Sequence, residues 1–154
     1  MTWRLLLVLA IAATVSGCHG GGSSCGPSSA LVTRVVDGDT VELEGGQKVR
    51  YLCVNTPEST TTVECYGPEA AAFNRDLVEG KAVTLEYDVE CRDKYDRLLA
   101  FVTVGGQEVN RVLVERGYAE VMIIAPNCQA RQQEFEDLEV VARNAGVGLW
   151  SACQ

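Results

Sequence analysis

Between Asp37 and Glu58 the chain reads D-G-D-T-V-E-L-E-G-G-Q-K-V-R-Y-L-C-V-N-T-P-E, and from Asp93 to Arg97 it reads D-K-Y-D-R. These residue types suit one kind of chemistry. Cleavage of a phosphodiester needs a Lewis acid at a phosphoryl oxygen and a base beside the attacking water. It also needs fixed cations where charge develops, and guanidinium forks match phosphate in shape. Asp39, with oxygens from Asn55 and Thr56, offers a donor set for a hard ion such as Ca²⁺. Glu58, two residues beyond Thr56, can position or deprotonate water. Arg50 and Arg97 can clamp the phosphate. Each piece alone has an ordinary explanation: Asp37-Gly38-Asp39 and Thr56-Pro57-Glu58 as turns, 93–97 as a solvated loop, Arg50 as an outward strand residue. Spacing alone does not make them converge.

The elements that must position them follow from periodicity. Residues 31–36 form a β-branched run, and Gly38 is expected at positive φ in a hairpin turn. Residues 40–44 alternate, with Val41 and Leu43 opposed to Glu42 and Glu44. After Gly45-Gly46, residues 48–54 form a third strand with Val49 and Tyr51 opposed to Arg50 and Leu52. Pro68 and Glu69 open a helix that Gly80 ends, with Phe73 and Leu77 toward the core. Strands are expected over 83–89 and 97–104. A second helix carries Val109, Val112 and Leu113 and stops at Gly117. Residues 118–124 are β-prone. A third helix over 129–144 buries Phe135, Leu138, Val141 and Ala142 and solvates Glu134, Glu136, Asp137 and Glu139. Trp150 is expected to pack back on the domain. The order suggests an α+β domain built on a small antiparallel barrel.

The chain has 154 residues, 47% hydrophobic and 22% charged, with a formal net charge of −8. This excludes nucleic-acid binding by bulk positive charge; a polyanion must meet local cations or a metal. Arg4 and the apolar run 5–15 read as a signal peptide over residues 1–17. Val15-Ser16-Gly17-Cys18 resembles a lipoprotein box, with Cys18 the lipidated residue; the alternative is an ordinary signal peptide cut nearby. Residues 18–29 are Gly/Ser-rich and read as a flexible tether, the folded domain occupying 30–154. Seven cysteines are present. With Cys18 given to lipid, Cys25, Cys53, Cys65, Cys91, Cys128 and Cys153 permit three disulfides in 15 connectivities. A thiolate zinc site is disfavoured, since no C-x-x-C occurs and the only histidine is His19. Three disulfides suit a small extracytoplasmic domain.

The series D-G-D-T, R-Y-L-C-V-N-T-P-E, Y-G-P-E-A, D-K-Y-D-R-L-L-A and the G-L-W ending resembles the staphylococcal nuclease (thermonuclease) family over residues 30–151. The resemblance implies a five-stranded antiparallel oligonucleotide/oligosaccharide-binding (OB) barrel with three helices. It implies Ca²⁺-dependent endonucleolytic hydrolysis of DNA and RNA that leaves 3′-phosphate ends. Carried over residue by residue, it makes Asp39, Asn55 and the Thr56 carbonyl the metal ligands. It makes Arg50, Glu58 and Arg97 catalytic, Glu58 as the base, and puts Lys94 and Tyr95 at the substrate's terminal phosphate. Asn55 stands where the family pattern has a second metal aspartate, and Met122, Ile123 and Ile124 stand where it has nucleotide-stacking tyrosines. On the family fold the expected bridges are Cys65–Cys91 and Cys128–Cys153, leaving Cys25 with Cys53.

The sequence thus points to a monomeric, exported nuclease acting on DNA and RNA, tethered through Cys18 to a membrane. His19 after the lipidated residue favours an outer membrane. The rival reading is a weak or inactive OB module that binds nucleic acid or protein.

Overall fold

The computed structural model describes residues 25–153. The expected signal peptide, Cys18, His19 and the first part of the tether lie outside these residues.

Alternating side chains build the barrel. Strands β1 (Ser29–Asp37), β2 (Thr40–Leu43) and β3 (Lys48–Tyr51) form an antiparallel meander. Val32, Val35, Val41, Leu43, Val49 and Tyr51 point into the core, while Glu42 and Lys48 face outward. The two-residue strand β4 (Val54–Asn55) precedes helix α1 (Gly67–Val78). Strands β5 (Ala82–Arg92) and β6 (Leu98–Val104) pair antiparallel with each other, and β5 also pairs antiparallel with β1. The barrel closes through β3 and β6, which pair in parallel. The five-stranded OB-type barrel is as expected, but its sheet is mixed.

The remaining elements are β7 (Gln107–Glu108), α2 (Val109–Glu115), β8 (Glu120–Val121), a 3₁₀ turn (Gln129–Arg131), α3 (Gln132–Ala145) and α4 (Leu149–Ala152). Among the described residues four α-helices therefore stand where three were expected. α2 packs against β6 and α3. Its buried Asn110 accepts from Val102 N–H and donates to the carbonyls of Leu52 and Ala100. On α3 the apolar stripe is narrower than expected: Phe135 and Ala142 are buried, Leu138 half-buried and Val141 exposed. Val141 precedes Ala142 by one residue, about 100° around the helix, which turns it to solvent. Glu139, expected on the solvated face, instead accepts from Val121 N–H and fixes β8. Trp150 does pack back, with Arg143 stacked on its ring at 3.9 Å.

The third strand does not run through to Val54. It stops at Tyr51, and Cys53 takes a left-handed conformation, φ 65°. Leu52 is consequently buried, and so is most of the Arg50 side chain. Residues 54–55 turn away to pair with β8.

All six cysteines within the described residues are bonded, but the expected pairing is corrected in every case. The bridges are Cys25–Cys91, Cys53–Cys128 and Cys65–Cys153. Their partners are set by segments that meet in space. Residues 25–28 run beside β5, where Ser28 O accepts from Leu85 N–H and Pro27 O from the Tyr87 hydroxyl. That contact brings Cys25 to Cys91, and it makes residues 25–29 part of the domain where a tether was expected. The Cys53 carbonyl accepts from Met122 N–H, placing Cys53 by the loop that holds Cys128. Among the described residues no helix is long and apolar enough to cross a membrane.

Candidate active site

The Asp37–Thr40 turn, the turn after β3 and the loop before α1 meet at one corner of the barrel. Gly38 makes this possible by its size. Its φ is not positive, contrary to expectation; a Cβ there would lie 2.7 Å from Thr56 Oγ1. The missing side chain lets Thr56 lie against the turn. Asp39 is buried and accepts three donors: the Thr40 hydroxyl at 2.9 Å, Thr56 N–H at 2.9 Å and Arg50 Nη2 at 3.1 Å. Helix α1 holds the same turn from below. Buried Asn74 accepts from the Tyr51 hydroxyl and donates to the Asp37 carbonyl.

Arg50 is the hub of this corner. Its Nη1 donates to the carbonyls of Tyr51 (2.6 Å) and Val54 (2.7 Å), which the break at Cys53 turns inward. Its Nη2 reaches Asn55 Oδ1 at 3.2 Å as well as Asp39. Burial, and then the neighbouring charge of Arg97, lower its pKa from the ordinary value, while Asp39 opposes the shift.

Carboxylates crowd the other flank. Asp37 accepts from Gly38 N–H and the Ser59 hydroxyl. Burial raises its pKa above the usual range. Asp39 and a hydrogen-bonded contact with the Glu58 carboxyl push the same way, outweighing the two donors. Glu58 is more exposed. The Thr60 hydroxyl and N–H both donate to its Oε1 and hold its pKa low, so it is ionised near neutrality. Its backbone is fixed from two sides. Glu64 accepts from Glu58 N–H, and the Glu58 carbonyl lies over Gly67, where a Cβ would stand 2.1 Å from it.

Arg97 comes from the β5–β6 loop. Asp93 receives its Nε and Nη2 at 2.7 Å each, and also accepts from the backbone N–H groups of Tyr95 and Arg97. Burial pushes the Asp93 pKa up, but these donors outweigh it and leave it low. A cavity of about 380 Å³ opens between Arg97 and Arg50, lined also by Lys94, Tyr95, Met122 and Ile124. The structure thus brings Arg50, Lys94, Tyr95 and Arg97 to one cavity, with Asp39, Asn55 and Thr56 behind Arg50. Glu58 does not line it; it lies on the far flank, against Asp37.

Residues 48–152 match the family described as staphylococcal nuclease homologue. The chain is 39% identical over 126 residues to endonuclease YncB of Bacillus subtilis, covering 77% of this chain and 59% of that protein. It is 37% identical over 126 residues to the SPbeta prophage-derived endonuclease YokF of the same organism, covering 77% of this chain and 42% of that one. It is 37% identical over 128 residues to a thermonuclease of Staphylococcus intermedius, covering 79% and 76%. The chain belongs to the staphylococcal nuclease family. It spans about half of the length of the two Bacillus relatives, and three quarters of the thermonuclease.

Membership in the staphylococcal nuclease family makes the metal question specific. Among the described residues no group of three or more His, Cys, Asp or Glu could hold an ion. The oxygens present nonetheless fit a hard cation in kind: the Asp39 carboxylate, the Asn55 amide and Thr56. Thr56 Oγ1 is buried beside them without a hydrogen-bond partner. Burial first, and then Asp39 and Glu58, raise the Asp37 pKa, and a nearby cation would favour its ionised form. Both side-chain acceptors of Arg50 Nη2 belong to this donor set.

Sequence reasoning missed Asp37 as a member of the site, Asp93 as the holder of Arg97, and Asn74 as the link to α1. Asp93 was legible in part. An aspartate two residues before a backbone N–H it can cap, and four before an arginine, is a known turn device. Nothing local marked Asn74.

Proposed function

We propose that the protein is a nuclease that hydrolyses phosphodiester bonds of DNA and RNA, endonucleolytically and with 3′-phosphate products. The observation that carries this reading is the convergence of Arg50 and Arg97 on one cavity, beside an oxygen-rich corner. Arg50 and Arg97 bind the phosphate and stabilise the charge that develops on its oxygens. Glu58, ionised, accepts the proton of the attacking water. Lys94 and Tyr95 hold the substrate's terminal phosphate. Asp39, Asn55 and the Thr56 carbonyl would hold Ca²⁺, which when bound supplies Lewis-acid polarisation of the phosphoryl group. Asp39 and Asn55 would then no longer be free to occupy Arg50 Nη2, whose hydrogens can turn to the phosphate.

The test is digestion of single-stranded DNA by the purified domain, with millimolar Ca²⁺ and with chelator. Chelator-sensitive cleavage is expected; a folded sample that never cuts would sink the reading. Glu58→Gln is expected to lose most activity with the fold intact, and full activity would remove the base assignment.

One observation favours a second reading, a non-catalytic strand-binding module. Asn55 offers an amide where a carboxylate would bind an ion more strongly, and Arg50 already engages it. Calcium titration by calorimetry separates the two: oligonucleotide binding without any Ca²⁺ binding favours the module.

The lipoprotein-like sequence at Val15–Cys18 further suggests a monomeric enzyme anchored by lipid outside the cytoplasm, on an outer membrane if the cell has one. Membrane fractionation of the wild type and a Cys18→Ser variant tests this. Equal release of both into the soluble fraction would overturn it.

A further inference from the structure

A second cavity, of about 420 Å³, adjoins the first. It is bounded by the β2–β3 turn, Gly45 to Lys48, and by the β5–β6 loop. Arg92, Tyr95 and Arg97 line both cavities, so the first does not end at Arg97 but continues past it.

Its charge is unusual for this chain. The net charge is −8, and most described arginines are ion-paired. Lys48, Lys81, Lys94 and Arg116 make no ion pair among the described residues. Lys81 is given over to the carbonyls of Asp76 and Leu77 at the end of α1. Of the others, Lys94 lines the first cavity and Lys48 the second. Neither acidic group near Lys48 is paired with it, although Asp96 also lines the second cavity. Asp96 pairs with Arg92 at 3.1 Å, and Glu42, opposite Lys48 in the sheet, pairs with Arg34 at 2.6 Å. Gly45 and Gly46 carry no side chains over the groove, and a Cβ on either would meet nothing within 4 Å, so the approach to Lys48 is open. Tyr95, 67% exposed, stands between the cavities with Lys94 and Arg97 against its ring. An exposed aromatic flanked by cations is a stacking platform for an unpaired base.

We infer that the second cavity is a subsite for a phosphate flanking the one cleaved, so that a single strand crosses Tyr95 from one cavity to the other. This rests on the nuclease reading above for the identity of the polyanion. Lys48 binds the flanking phosphate, with Arg92 beside it already paired to Asp96, and a dinucleotide is too short to use both cavities fully.

Fluorescence anisotropy with a 12-nucleotide thymidylate and with a dinucleotide tests this, in chelator and, for Glu58→Gln, in Ca²⁺. Lys48→Ala is expected to weaken 12-mer binding about threefold to fivefold near 0.1 M salt. It should also reduce the slope of log K against log salt by about 0.7, the value for one phosphate contact on a single strand. The ratio of 12-mer to dinucleotide affinity should fall. Arg116→Ala removes an equal charge away from both cavities and is the control. If Lys48→Ala matches that control, or weakens both ligands equally, the subsite is overturned; absence of oligonucleotide binding overturns it too. The two readings separate cleanly. Lys48-dependent strand binding without any cleavage leaves the subsite and removes hydrolysis, while Lys48-independent cleavage does the reverse.

Discussion

The two arginines of the site are built in opposite ways. Arg50 sits on a barrel strand with its side chain 12% exposed, and it satisfies two backbone carbonyls, an amide and a carboxylate. Arg97 sits on a loop with its side chain 29% exposed, and one aspartate holds it. The surroundings differ as well. Asp37, Asp39 and Glu58 crowd the Arg50 side, while Lys94 and Arg92 accompany Arg97. A guanidinium that closes a broken strand cannot be removed without opening the barrel corner. One held by a loop carboxylate can be. The same chemical group is therefore part of the barrel's framework in one place and hung from a loop by a single carboxylate in the other.

Stability separates them most. Arg50→Ala leaves buried Asp39 without its cation and the carbonyls of Tyr51 and Val54 without a donor. Breaking a buried pair in this way costs about 3–5 kcal/mol, so unfolding in urea should move to much lower denaturant. Arg50→Ala with wild-type stability would show that the guanidinium is not the keystone of this corner.

The next largest effect is expected at the loop that carries Glu58. Cys65, one residue from the left-handed Tyr66 that opens α1, is tied to Cys153 over 88 residues. Replacing both cysteines with serine should cost about 2–4 kcal/mol. The loss of activity should exceed what the unfolded fraction explains, because Glu58 rests on Gly67 just beyond Cys65. Activity that simply tracks the folded fraction would show that the bridge does not position Glu58.

These two regions also divide what the sequence reveals. The strands could be read because Val41, Leu43, Val49 and Tyr51 alternate with polar neighbours, and that period is local. The candidate site residues could be named from their types and from the family resemblance, although spacing alone did not make them converge. The parallel closure of β3 on β6 could not, since alternation is the same in parallel and antiparallel pairs. Cys53 at positive φ could not, because it goes with the bridge to Cys128 and the carbonyls gathered at Arg50, which no local pattern marks. The bridges could not either: each depends on which loops meet, and Cys25 finds Cys91 only because residues 25–28 lie along β5. Gly38 was recognised as necessary but for the wrong cause, since room for Thr56 and turn dihedrals leave the same letter in the sequence.

Arg97→Ala is the converse of Arg50→Ala. Its pair with Asp93 is partly solvated, so the stability change should stay below about 1 kcal/mol. Turnover should fall roughly 10²–10³-fold, as for loss of a donor at developing charge. Steady-state cleavage and thermal unfolding of the same preparation check both. A large drop in melting temperature would erase the contrast with Arg50.

The smallest effects carry the sharpest contrast, because they differ in sign. Asp37, on the Arg50 side, has its pKa raised by burial and by the carboxyls of Asp39 and Glu58. A raised carboxyl favours the fold while protonated. Its contribution is full below the unfolded pKa, about 3.9, and is lost as pH rises through the folded value. Asp93 has its pKa lowered, the donors of Arg97 and Tyr95 outweighing burial. It favours the fold while ionised, and that contribution is lost as pH falls below about 3.9 through the folded value. Without metal, Asp37→Asn should therefore be more stable than the wild type at neutral pH, and Asp93→Asn less stable. Both differences should shrink toward zero in acid, where the native carboxyls are protonated and resemble the amides. Melting temperatures from pH 3 to pH 8 in chelator check this, and differences of the same sign would refute the division of the site into a carboxylate-crowded half and a cation-rich half. Adding Ca²⁺ should then stabilise the wild type more than Asp37→Asn. Equal stabilisation of the two by Ca²⁺ would show that Asp37 does not sense the ion.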